Sequence, residues 1–86
     1  MRCNVEEEML IYALRYALGR LSYAVDDVID SIKDNWQNLG DNSKRIIYKD
    51  IKNYLNQPYC PRSEDWLDLI NYLKKLDKQI KSQWSF

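Results

Sequence analysis

Residues that break or turn a chain are scarce in this sequence and lie far apart. There are two glycines, Gly19 and Gly40, and two prolines, Pro58 and Pro61, in 86 residues. A β-sheet of this length needs several tight turns, and those draw on Gly, Pro, Asn and Asp in hairpin patterns that do not occur here. Between the breakers, apolar residues recur every three to four positions, which is the helical period. The sequence therefore predicts an all-α fold, a compact bundle of three to four helices, forming one domain over residues 1–86.

The helix boundaries follow from the breakers and caps. "NVEE" (Asn4 to Glu7) reads as a capping box, with Glu6, Glu7 and Glu8 in the first turn. Leu10, Leu14, Ala17, Leu18 and Leu21 follow at helical spacing. At Gly19 two readings stand. Either Gly19 ends the helix, Leu21 packs back and Ser22 caps a second helix, or one helix runs through. The second is supported by phase: at ~100° per residue, Leu10, Leu14, Leu21, Val25, Val28, Ile32 and Leu39 share a stripe about 60° wide. The first is supported by the cost of a mid-helix glycine, ~1 kcal/mol. "NLGDNS" then predicts Gly40 as a C-cap and Asp41, Asn42 or Ser43 as the next N-cap. A helix from about 44 to 55 would present Ile47, Ile51, Tyr54 and Leu55. "NQPYCPRS" breaks the chain, and Ser63 is expected to cap a last helix carrying Trp66, Leu69, Ile70, Leu73, Leu76 and Ile80.

Composition narrows the chemistry. With no histidine, the usual base for a serine or cysteine nucleophile is missing, and a P-loop or dinucleotide fingerprint needs more glycines. Cys3 and Cys60 form no CxxC motif, so neither a zinc site nor a cofactor is expected; pairing of the two is left open, with reduced thiols favoured. The expectation is a protein that is not an enzyme. Glutamates occupy the place of a signal peptide's basic region, and no apolar run approaches ~20 residues. A soluble, cytoplasmic protein is therefore expected. Net charge is zero but uneven: residues 1–43 hold four basic and eight acidic side chains, residues 44–86 nine and five. Such a chain can pair its own halves or dock onto copies of itself.

Two surfaces stand out. If the helix continues through Gly19, Tyr12, Tyr16 and Tyr23 line up opposite the leucines, flanked by Arg15 and Arg20. Tyrosine and arginine bring large area and a polar tip, which suits a protein interface, whereas arginine with a stacking ring suits a small anionic ligand. The structural alternative is that they bury against later helices, with Arg15 paired to Asp26, Asp27 or Asp30. The second surface is an acidic ridge of Asp26, Asp27, Asp30 and Asp34, read as a solvated face or as a partial mimic of nucleic-acid phosphates. Lys44, Arg45, Lys49 and Lys52 make a weak basic patch with few nearby aromatics, and the composition argues against direct nucleic-acid binding. Trp84 and Phe86 in "SQWSF" suit a docked tail or subunit contact.

The stretch "YALRYALGRLSYAVDDVIDSI" (Tyr12 to Ile32), within a chain rich in Asn, Ile, Lys and Tyr, resembles small helical accessory proteins of phages and mobile elements. That resemblance implies a non-enzymatic inhibitor of a bacterial defence component, acting by protein–protein contact in the host cytoplasm, in the manner of anti-CRISPR proteins. Two alternatives are an oligomeric sponge for a signalling nucleotide and a structural protein whose role is to oligomerise. A homo-oligomer is expected, and both alternatives depend on one.

Overall fold

In the computed structural model, which describes residues 5–77, Gly19 lies at φ +89° and the first helix has ended before it. Helix α1 spans Val5–Ala17, and its last carbonyls are closed by the N–H groups of Leu18 (to Leu14 O, 3.0 Å) and Arg20 (to Ala17 O, 3.0 Å). Ser22 then caps helix α2, Tyr23–Asn35, its Oγ accepting from the Ala24 N–H at 3.3 Å. The break is thus the reading realised, and the continuous helix is not. Leu21 departs from both readings: expected to pack back after the break in one and placed on the core stripe in the other, it is 71% exposed in the connecting turn. Val25, Val28 and Ile32 are buried as expected, with Ile29 beside them.

The next two boundaries also differ in detail. A 3₁₀ turn, Trp36–Asn38, follows α2, and α3 spans Asp41–Leu55. Gly40 is not a left-handed C-cap; it has extended backbone and is the N-cap residue of α3, so that Asp41 is already helical. Its N–H donates to Glu7 Oε1 at 3.2 Å, which ties the start of α1 to this junction. Helix α4 spans Ser63–Leu76, and its N-cap position is held by Arg62 in the left-handed region (φ 57°, ψ 33°) rather than by Ser63. Glu64 and Asp65 lead α4 and Lys74 and Lys75 trail it, as the helix dipole favours. Leu76 stays partly exposed at the end of that helix. Cys3, the Asn4 capping residue, Ile80, Trp84 and Phe86 lie outside the described residues.

Helix α1 packs on α2 and α3, and α4 on α3 and α2, so the order around the bundle is α1–α2–α4–α3. Its short dimension of 19 Å accommodates two helix layers about 10 Å apart. Leu14, Val25, Ile32, Trp36, Ile47, Ile51, Trp66, Leu69, Ile70 and Leu73 are fully buried in one cluster reaching all four helices. Burial of each such aliphatic side chain contributes roughly 1.5–3 kcal/mol. Lys44 is drawn into this interior: its Nζ lies 3.4 Å from Asp77 Oδ2 and 5.6 Å from the Trp36 ring centroid. It therefore does not join Arg45, Lys49 and Lys52 in an exposed basic patch.

Candidate protein-binding surface

Helix α1 is apolar on two sides. One side buries Ile11, Leu14 and Ala17 in the core. On the other, Met9, Tyr12 and Tyr16 are 64%, 64% and 58% exposed. Their spacing of i, i+3, i+7 keeps them within an arc of about 60°, on the side an ordinary surface helix gives to charged residues. The tyrosines are thus not buried against later helices, and that structural alternative is overturned.

The arginines sit along this stripe, each held by a local partner. Arg15 Nε donates to Asp50 Oδ2 on α3 at 2.8 Å, and its side chain remains about half exposed. Asp50, in the basic half of the chain, takes the place expected for Asp26, Asp27 or Asp30. Arg20 folds back over Tyr16: its Nε donates to Tyr16 O at 2.9 Å, and its guanidinium carbon lies 4.0 Å from the ring centroid. This cation–π contact fixes the ring and keeps the charge over its face. Two shallow hollows flank Arg15. One, about 190 Å³, is lined by Glu8, Ile11, Tyr12, Arg15 and Ile46. The other, about 320 Å³, lies between Arg15, Leu18, Gly19, Asp50, Asn53, Tyr54 and Gln57.

Tyr23 is separated from the other two tyrosines by the break. As the first residue of α2 it is 86% exposed, at the end of the bundle where the α1–α2 turn meets the α3–α4 connection. Arg62 joins these segments: Nη2 donates to Asp26 Oδ1 at 2.6 Å, Nη1 to Asp26 Oδ2 and to Ser22 O at 3.4 Å, and Nε to Asp65 Oδ2 at 2.8 Å. The hydrogen bond from Arg62 holds the Asp26 carboxyl below its ordinary range. Nearby, the Tyr54 hydroxyl donates to Pro61 O at 2.8 Å, and burial, reinforced by the neighbouring Cys60 thiol, pushes its pKa up. The Cys60 Sγ–H is shared between Tyr54 O and Gln57 O, both at 3.0 Å, and the thiol is free.

The acidic ridge is exposed, but Asp26 is committed to Arg62, which leaves Asp27, Asp30 and Asp34 facing solvent. Among the described residues, no group of three or more His, Cys, Asp or Glu is arranged to hold a metal ion. No family model, no curated protein and no solved structure matches the chain.

The surface can therefore be judged only by its own chemistry. It comprises more than the sequence singled out. Met9 extends the stripe one turn upstream, and it was legible by carrying the Tyr12–Tyr16 register back to position 9. Leu21 adds an exposed apolar side chain that neither reading of the Gly19 junction anticipates. Tyr59, 77% exposed in the α3–α4 connection, carries no periodic signal, because that segment is irregular.

Proposed function

We propose that this chain is a non-enzymatic binding protein that acts by protein–protein contact through the exposed face of α1 and the turn after it. The observation that carries the reading is the concentration of Met9, Tyr12, Tyr16, Leu21 and Tyr23, each more than half exposed, within fifteen consecutive residues. Large apolar side chains gathered in this way mark interaction surfaces, whereas isolated ones need no explanation. Tyrosine and arginine are also the residues through which interface energy concentrates.

The resemblance of Tyr12 to Ile32 to phage and mobile-element accessory proteins supports the further proposal that the partner is a component of a bacterial defence system, blocked in the host cytoplasm. Among the described residues, no helix is long and apolar enough to cross a membrane. The nucleotide-sponge alternative gains no support from the geometry: Arg20 is stacked on the Tyr16 ring, and neither hollow beside Arg15 contains a second cation.

Affinity capture from bacterial lysate tests the proposal. Immobilised protein should retain a discrete partner at micromolar concentration, and the Tyr16→Ser/Tyr23→Ser variant should lose it while keeping its helical circular dichroism. Retention of no macromolecule, or equal retention by the variant, would overturn the reading.

A further inference from the structure

The exposed face of α1 has a symmetry of its own. Viewed along the helix, Tyr12 occupies the middle of the face. Glu8 and Arg15 lie together on one flank and Met9 and Tyr16 on the other, at about 100° per residue. In each flanking pair, one residue precedes Tyr12 by three or four positions and the other follows it by three or four. The Glu8 side chain makes no ion pair or hydrogen bond among the described residues. Arg15 uses only Nε on Asp50, so its two terminal nitrogens carry donors to spare.

We infer that this face pairs with the same face of a second copy, α1 against α1 and antiparallel, about a two-fold axis at Tyr12. A two-fold axis perpendicular to both helices reverses the chain direction and returns each flank to itself. Glu8 then meets Arg15 of the second copy, Met9 meets Tyr16 of the second copy, and the two Tyr12 rings meet at the axis. All three matches arise from one rotation, with opposite charges facing and apolar side chains facing. A parallel pair would exchange the flanks and set Glu8 against Met9 and Arg15 against Tyr16 of the second copy, leaving each charge against an apolar side chain without an ionic partner. The hollow of about 190 Å³ formed by Glu8, Ile11, Tyr12, Arg15 and Ile46 lies on the charged flank and gives the Tyr12 ring of the second copy an apolar floor.

The seam is short. Thirteen residues of helix run about 20 Å, and such a pair buries on the order of 1,000 Å², the low end of specific interfaces. A dimer with a dissociation constant of roughly 10–100 µM is expected. The inference rests on the reading of α1 as a binding face and adds a second copy as its occupant. Leu21 and Tyr23, beyond the end of the helix, lie past the seam and stay open to another partner.

Sedimentation equilibrium of the purified chain tests this without any lysate partner, so its failure is distinct from failure of the capture experiment. The wild-type chain should pass from monomer to dimer over the micromolar range. Glu8→Arg should weaken the dimer at least tenfold, Tyr12→Arg should abolish it, and the charge exchange Glu8→Arg/Arg15→Glu should restore it. Glu8 and Tyr12 are both exposed, so their single variants keep the fold and decide the matter even if the exchange destabilises the Arg15–Asp50 contact. A wild-type chain that stays monomeric to about 1 mM, or a dimer indifferent to Glu8→Arg and Tyr12→Arg, would overturn the inference.

Discussion

Among the described residues two hold left-handed backbone, Gly19 and Arg62, and they do so for different reasons. At Gly19 a Cβ would meet nothing within 4 Å, so space does not demand glycine; the φ of +89° does. Gly19→Ala should therefore destabilise the fold by about 1 kcal/mol through backbone strain alone, read as a lower urea midpoint with an unchanged m-value. At Arg62 the strained conformation is accepted because it lets one guanidinium reach Asp26, Asp65 and the Ser22 carbonyl together. Arg62→Ala loses these bonds and keeps the strain, whereas Arg62→Gly loses the bonds and relieves it. Glycine should thus be the milder replacement, the reverse of the order in a helix interior. Urea midpoints of the two variants decide; a midpoint for Arg62→Ala at or above that for Arg62→Gly would mean that the left-handed backbone costs nothing.

At the scale of the elements, α1 does two tasks on opposite sides, and substitution should separate them. Leu14→Ala removes a fully buried side chain and should cost about 2–5 kcal/mol. Met9→Ala and Tyr16→Ala should each stay within about 0.5 kcal/mol of wild type in thermal or urea unfolding, because neither side chain supports the core. A large stability loss for Tyr16→Ala would mean that its stack with Arg20 is part of the structure rather than a presented surface. This division also explains what could be read in advance. The core faces of α2, α3 and α4 were legible, since Val25, Ile32, Ile51, Leu69 and Leu73 follow a simple period that packing obeys. The caps were less legible. Arg62 won the cap position of α4 over Ser63 through contacts to Asp26, thirty-six residues earlier, and no local pattern carries that. Lys44 was misread for the same reason: its burial depends on Asp77 and Trp36, which only the tertiary fold brings near. The α1 face was found in outline, but its extent turned on whether Gly19 breaks the helix. Phase and propensity opposed each other there, and the capped turn decided it.

Over the whole molecule, two ion pairs join the halves of the chain: Arg15 with Asp50, which runs against their uneven charge, and Asp26 with Arg62, which follows it. The second closes the end of the bundle that carries Leu21, Tyr23 and Tyr59, linking the start of α2 to the α3–α4 connection. Its dependence on pH follows from Asp26. The hydrogen bond from Arg62 lowers the folded-state pKa of this carboxyl relative to the unfolded chain, so the unfolded chain binds the proton more readily. The stabilisation is complete above the ordinary carboxyl range, about pH 4, and is lost as pH falls through the lowered folded value. Asp26→Asn removes the titrating group and weakens the contact at every pH. At pH 7 the variant should have a lower urea midpoint than wild type. The gap between them should narrow as pH falls below about 4, because only the wild-type chain loses this contribution there. Added salt should narrow the gap at neutral pH as well, since Asp26 is exposed and the pair is screened. A gap that stays constant from pH 7 to the acid limb would show that Arg62 holds this end of the bundle through the Ser22 carbonyl and Asp65, and that Asp26 is dispensable to it.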